Sequence, residues 1–417
     1  MWRDQLGLDD VRAAAARLEP LGVRTPLQRN ARLSDATGAE VWLKREDLQV
    51  VRSYKIRGAY NFIAALGPET LAAGVVCASA GNHAQGVAWS CCHLGVRGAV
   101  FLPQRTPRQK VARIRALARD LVDVRFAGDS FDDANAAAAA YAASTGATVV
   151  PTFDHPATVA GQGTVALEVL DQLGRPPDVM AVPIGGGGLA SGIAVVLDAL
   201  AAPTEVVGVQ PAGAPAMARS LEAGHPVTID IEDPFVDGAV VRPPGTLTFA
   251  VVRDLVKRFE VVAEGRVCTE QLALYQDDGI VAEPAGALAL AALGELAPEV
   301  AGHTVVGILS GGNNDVARYD EIIERSLVHQ GLKHYFVVGF PQRPGSLRRF
   351  VDECLGPTDD IVLFEYIKKN DREFGPALVG VELQHRDDLE PLLVRIAASG
   401  LEVERLPPDS PMARLLL

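Results

Sequence analysis

Short β-branched runs alternate with Ala-rich stretches over most of the 417 residues, at 74–78, 99–102, 122–126, 148–150, 179–184, 206–209 and 304–309. These runs lack the polar alternation of a half-exposed sheet, so both faces of each strand must be covered, as in a parallel sheet between helix layers. The fold class is therefore α/β, and ligands of such sheets bind beyond the carboxyl ends of the strands. After a helix-like stretch at 316–330 the order changes to strand 335–339, helix 346–354, strand 360–366, strand 377–383, helix 386–398 and strand 401–406. That β-α-β-β-α-β succession predicts a ferredoxin-like α+β domain. Its start is placed near Val328, giving domains 1–327 and 328–417.

Charge and cysteine usage exclude several classes. With 39 Lys plus Arg against 52 Asp plus Glu, the net charge of −13 repels phosphate polymers and anionic lipid heads, so no nucleic-acid or membrane partner is expected. No apolar run is long enough to span a bilayer. Met1 to Glu19 lacks the basic start and apolar stretch of a secretion signal, which points to the cytoplasm. The five cysteines are an odd number without a C-x-x-C pair, so buried reduced thiols are expected and no metal site.

Three strands end in Gly-rich turns that read as leading into helices, where unpaired N–H groups favour anions. The strongest is Gly185-Gly186-Gly187-Gly188, ahead of a helix at 189–200. Consecutive glycines cost conformational entropy, so a run of them implies backbone wrapped around a phosphate. Gly185, Gly187 and Ala190 also satisfy G-x-G-x-x-A, but the next strand ends in Gln210 where a ribose-binding carboxylate belongs. No G-x-x-x-x-G-K-[ST] motif occurs. A single-phosphate cofactor remains.

The second turn is Ser79-Ala80-Gly81-Asn82-His83, suited to a carboxylate; His83 by itself reads as a packed structural histidine. The third is Ser310-Gly311-Gly312-Asn313, in which Ser310 could equally cap a helix. Lys55, in Ser53-Tyr54-Lys55-Ile56-Arg57-Gly58, reads by composition as a solvated lysine opening a helix.

These four segments, in this order, resemble the fold-type II pyridoxal-phosphate enzymes (tryptophan synthase β-like), and within them the biosynthetic threonine dehydratases. The resemblance implies a catalytic unit of two parallel-sheet subdomains, the smaller at about 50–155 inserted in the larger. It implies pyridoxal 5'-phosphate as cofactor, Lys55 as its Schiff-base lysine and Tyr54 against its ring. Gly185, Gly186, Gly187 and Gly188 hold the phosphate, Asn82 meets the phenolic oxygen and Ser310 the ring nitrogen. Ser79, with the backbone of Gly81, Asn82 and His83, holds the substrate carboxylate.

A hydroxyl at the ring nitrogen cannot keep it protonated as a carboxylate would, which favours fast β-elimination over racemisation or transamination. Related serine racemases carry a second serine where this chain has Ala80, and bind a divalent ion where it has Gln210, Ala214 and Ala216. Racemisation is therefore expected to be poor. Glu283, in Glu283-Pro284-Ala285-Gly286, either sits near the active site, as in the family, or caps a helix.

The C-terminal domain resembles the ACT-like regulatory domain of short threonine dehydratases, with Pro344, Gly345 and Ser346 at its first turn. The activity implied is conversion of L-threonine to 2-oxobutanoate and ammonia, the first step of isoleucine synthesis, with some action on L-serine. Isoleucine, and valine as a second candidate, are the implied effectors, and a homo-oligomer, dimer or tetramer, is the implied assembly. The alternatives are a serine dehydratase or other β-elimination or replacement lyase, and a non-catalytic amino-acid sensor.

Overall fold

The apolar runs form two separate sheets within the first 315 residues. The structure is a computed structural model that describes residues 2–366, 373–407, 410, 412 and 416. Contacts divide the chain into two units, Met1–Asp315 and Val316–Leu417. In the first unit the strands are β1 (Leu27–Arg29), β2 (Glu40–Arg45), β3 (Val75–Ala78), β4 (Gly98–Leu102), β5 (Val122–Phe126), β6 (Thr148–Val149), β7 (Val179–Pro183), β8 (Glu205–Pro211), β9 (Arg258–Val262) and β10 (Thr304–Leu309).

The larger sheet has the order β1-β2-β10-β7-β8-β9, parallel apart from the β1–β2 pair. The smaller, β5-β4-β3-β6, is parallel throughout and falls in sequence between β2 and β7. Every residue of β7 and of β10 is buried, as strands covered on both faces require. Each sheet has its own apolar core: Met180, Val182, Ile193 and Ile308 lie in one, Cys77, Val87, Val100 and Ile114 in the other. Removing each such side chain from water contributes about 1.5–3 kcal/mol.

Strands β1, β2 and β9 are not evident in the sequence. The reason is clearest in β2, where Lys44 is a wholly buried lysine in a run that reads as surface. The five cysteines are free, four of them buried and Cys92 partly so, as expected. Among the described residues no helix is long and apolar enough to cross a membrane.

Glycines let three helices of this unit touch backbone to backbone. A Cβ on Gly161 would stand 2.5 Å from Arg57 O, and one on Gly192 would stand 2.5 Å from both Gly163 N and Val159 O. These positions join the helices Lys55–Ala64, Pro156–Leu173 and Gly188–Ala199. The helix that begins with Lys55 is thereby locked to the one that follows the glycine run.

The second unit holds β11 (Lys333–Pro341), β12 (Asp360–Tyr366), β13 (Phe374–Glu382) and β14 (Glu402–Arg405), ordered β12-β13-β11-β14 and antiparallel. Phe336, Val338 and Phe340 of β11 share a core with Phe350 and Cys354 of helix Ser346–Cys354 and Leu392 of helix Leu389–Ala398. This is the expected ferredoxin-like succession. The division falls at 315/316, ahead of the expected Val328, because helix Tyr319–Gln330 goes with this unit. Glu324 on that helix pairs with Lys333 and accepts from the Tyr335 hydroxyl of β11.

Replacing Gly192 with Ala is expected to force the two helices apart and destabilise the protein by about 1–3 kcal/mol. A urea denaturation midpoint unchanged from the parent would contradict that packing.

Candidate active site

Lys55 is the first residue of its helix, with Tyr54 at the N-cap. The segment before it is tied to the end of β10: Tyr54 N–H donates to Ser310 O at 3.1 Å, and Ser53 bridges to Gly311. The Lys55 ammonium lies 5.1 Å from the Tyr54 ring centroid. Tyr54 packs against the core cluster that includes Ile184, Leu189 and Ala190, the neighbours of the glycine run.

Behind Lys55 lies a buried charge cluster. Arg57 is fully buried and binds both oxygens of Glu46 (2.8 and 2.7 Å) and of Glu168 (2.5 and 2.9 Å), with Thr164 and Val23 O as further acceptors. Lys44, equally buried, donates to Glu168 at 2.6 Å, Gln172 at 3.0 Å and Thr25 O at 2.7 Å. The two cations and two carboxylates balance. Burial drives the Glu46 carboxyl up, yet the charge and hydrogen bonds of Arg57 prevail and hold it below its ordinary value. Burial lowers Lys44.

The second turn opens helix Asn82–Leu94 with Gly81 as N-cap. Its hydroxyl, Ser79 Oγ, accepts from Gly81 N–H at 3.2 Å. His83 is buried, and its Nε2–H donates to Val150 O at 3.0 Å. Burial, then the charge of Lys55, pushes His83 down to about 4. It is a neutral, packed ring, as the sequence suggests.

The glycine run leads from β7 into helix Gly188–Ala199, with Gly187 at φ +93°. Protein presses on its outer side. A Cβ would come within 3.0 Å of Ala239 O at Gly185, 2.4 Å of the Phe153 ring at Gly186, 2.7 Å of Met217 Cε at Gly187 and 3.1 Å of Phe153 Cβ at Gly188. Among the described residues none of the amides from Gly185 to Ala190 donates to a carbonyl, and the first bonded one is Ser191 N–H to Gly187 O. A loop of free N–H groups at a helix N-terminus suits a phosphate dianion. Gln210 is fully buried, and its amide holds Ile184 O and Ala218 N–H, so it braces this loop.

The third turn does not open a helix: residues 310–315 form a loop before a 3-10 turn at Val316–Arg318, so the helix-cap reading of Ser310 fails. Ser310 Oγ donates to Ala285 O at 3.0 Å, and donation to a ring nitrogen would require that hydroxyl to rotate. Asn313 Nδ2 donates to Val51 O (2.8 Å) and to Asn82 Oδ1 (2.7 Å), and Asn82 Nδ2 donates to Glu283 Oε1 at 2.5 Å. Glu283 is buried; burial first, then the nearby charge of Asp237, pushes its carboxyl up to about 7.

Tyr54, next to Lys55, is hydrogen-bonded to Ser310, the Ser310 loop reaches Asn82 through Asn313, and Gly86 of the Asn82 helix lies against Lys55 O, where a Cβ would stand 3.2 Å away; Tyr54 packs into the core beside the glycine run. Lysine, amide, hydroxyl and free N–H groups form a donor set that fits pyridoxal 5'-phosphate. Phe153, Asp237 and Asn313 were not singled out from sequence. Asn313 lay inside a quoted motif, whereas nothing local marks Phe153.

In the second unit, Pro344, Gly345 and Ser346 line a surface concavity with Arg343, Arg349 and Leu401. Gly345 has φ +90° and is the N-cap of helix Ser346–Cys354. The Ser346 hydroxyl is engaged by Pro341 O and Arg343 O.

A family model described as pyridoxal-phosphate dependent enzyme matches residues 18–311, and one described as the C-terminal regulatory domain of threonine dehydratase matches 324–416. Biosynthetic L-threonine dehydratase IlvA of Mycobacterium tuberculosis is 56% identical over 411 residues, covering 98% of this chain and 95% of the relative. That of Bacillus subtilis is 48% identical over 395 residues, covering 95% and 94%. Among solved structures, the processed form of threonine deaminase isoform 2 from Solanum lycopersicum superposes with a TM-score of 0.71 at 34% identity, over 77% of this chain and 95% of that one. Maize serine racemase gives 0.72 at 31%, over 78% and 99%.

Glu46→Gln removes one carboxylate from a buried, neutral cluster and is expected to cost about 3–5 kcal/mol. The Glu46 contribution should be complete above its ordinary value of 4.5 and disappear as pH falls through the lower folded value. Urea titrations at pH 7 and at successively lower pH below 4.5 check both, and an unaffected midpoint at pH 7 would count against the cluster.

Proposed function

The chain belongs to the biosynthetic L-threonine dehydratases, a family of pyridoxal-phosphate-dependent enzymes, and on that premise we propose how its own residues do the work. The reaction is dehydration and deamination of L-threonine to 2-oxobutanoate and ammonia. When bound, the cofactor supplies a conjugated sink for the electrons released at the substrate Cα.

Lys55 would hold the cofactor through its amine, and that same amine would serve as the base for the substrate Cα proton. The amides from Gly185 to Ala190 hold the phosphate, and Phe153 fixes their curvature from behind. Tyr54 bounds one face of the ring, Asn82 holds the phenolic oxygen and Ser310 the ring nitrogen. Ser79 and the amides of Gly81, Asn82 and His83 at a helix N-terminus receive the substrate carboxylate. Serine lacks only the γ-methyl of threonine, a difference worth about 1–3 kcal/mol, so it is a second substrate.

The second unit takes a branched-chain amino acid, isoleucine first and valine second. Its carboxylate meets the helix N-terminus at Ser346, with the guanidinium groups of Arg343 and Arg349 at the rim of the same concavity. The assembly is a homo-oligomer, dimer or tetramer, in the cytoplasm; exposed Leu48, Val50 and Tyr275 are apolar side chains that such contacts would cover.

The observation that carries the reading is the Lys55 segment hydrogen-bonded to the Ser310 loop, which Asn313 joins to Asn82, together with the free N–H groups of the glycine run. Keto-acid release is expected from threonine and, up to about 200-fold less efficiently, from serine. Isoleucine should shift the threonine saturation curve, and Arg343→Ala should raise the isoleucine concentration needed. Release of no keto acid, or a curve indifferent to isoleucine, would refute the respective half.

A further inference from the structure

Glu283 stands at the N-cap of helix Pro284–Ala291, yet its side chain makes no capping hydrogen bond. The backbone does that work: Glu283 O accepts from Gly286 N–H at 2.8 Å and from Ala287 N–H at 3.1 Å. The carboxylate turns the other way, and room is kept for it. A Cβ on Gly311 would lie 2.2 Å from Glu283 Oε1, and one on Gly286 would lie 2.0 Å from Gly311 O. The Glu283 and Ser310 segments therefore meet without side chains at the contact, leaving space that the carboxylate fills.

The polarity of what it contacts is fixed. Val51 O can only accept, so Asn313 must present Nδ2 to it and to Asn82 Oδ1. That orients the Asn82 amide with Nδ2 toward Glu283 Oε1. One Nδ2 hydrogen is used there, and the second is left over. We propose that Glu283 is a positioning residue of the cofactor site, whose carboxylate anchors the Asn82 amide so that its remaining N–H faces the cofactor's phenolic oxygen. The inference rests on the reading of Lys55 and Asn82 given above and extends it to a residue outside the four segments.

The groups facing Glu283 are few. Asp237, on the 3-10 turn Asp237–Ala239, disfavours its ionisation, while Lys110 of helix Arg108–Ala118, Asn82 and the Asn313 backbone favour it. Lys110 is itself paired with Asp237 at 2.7 Å. From helix Glu264–Gln276, Gln271 donates to Ala282 O and adds no charge. With burial the dominant cause, the carboxyl titrates at about 7 in place of 4.5. The unfolded chain ionises first as pH rises, so this group reduces relative stability between those values and by a constant amount above them. An ionised acceptor binds an amide more strongly than a neutral one, so the grip on Asn82 tightens as pH rises through about 7.

The test uses full-length parent, Glu283→Gln and Glu283→Ala. Binding of pyridoxal phosphate to each apo-protein is followed by absorbance, and the visible band of each loaded protein is titrated from pH 5.5 to 8.5. The parent band should show an inflection near the Glu283 value of about 7 that Glu283→Gln abolishes. Glu283→Ala should weaken cofactor binding about tenfold, with Glu283→Gln recovering most of it because its carbonyl still accepts. An inflection that persists in Glu283→Gln, or a Glu283→Ala protein that binds cofactor as the parent does, overturns the proposal. If Glu283→Ala fails to fold, the Glu283→Gln titration decides. A parent that develops no visible band sinks the underlying cofactor reading instead.

Discussion

A guanidinium wholly removed from water is the constraint on which the first unit depends. Arg57 is two residues past Lys55, and its partners come from the turn after β2, from the N-terminal loop at Val23 and from helix Pro156–Leu173. Removing either carboxylate, Glu46 or Glu168, leaves an uncompensated charge in the interior, which costs far more than a surface pair contributes. The helix that presents Lys55 therefore cannot shift along its axis without breaking several charged contacts at once. Glycine-mediated contact at Gly161 and Gly192 extends that rigidity to the helix beginning at Gly188.

Two kinds of recognition are built on this frame. One is backbone: free amides at the start of the Gly188 helix, with the four glycines forced by Ala239, Phe153 and Met217 behind them. The other is a directed chain of side chains, from Val51 O through Asn313 and Asn82 to Glu283. The first suits a phosphate of fixed charge. The second sets which way a single amide points, which a phenolic oxygen requires. If the ring nitrogen lies at Ser310, as proposed, it would meet a hydroxyl rotated away from Ala285 O rather than a carboxylate, which favours elimination.

Much of this was legible in the residues because it is local. Strands Val122–Phe126 and Thr304–Leu309, and in the second unit helix Ser346–Cys354 and strand Asp360–Tyr366, fall where apolar pattern and turn chemistry place them. His83 reads as a packed histidine and is one. What escaped depends on partners far away in sequence. Strand β2 hides because Lys44 and Glu46 read as surface charges, and only Glu168 and Arg57 explain their burial. Phe153 has no local mark of its place beneath Gly186. The Ser310 turn was misread as a helix start, since a serine before glycines looks the same whether it caps a helix or bonds Ala285 O. Sequence left Glu283 between two roles, and its missing cap bond separates them.

The most direct measurement reduces the cofactor-loaded protein with borohydride, digests it and maps the mass of each peptide. The account predicts a pyridoxyl adduct on the peptide carrying Lys55, absent from a Lys55→Ala protein. An adduct on a different lysine, or none at all, would contradict it.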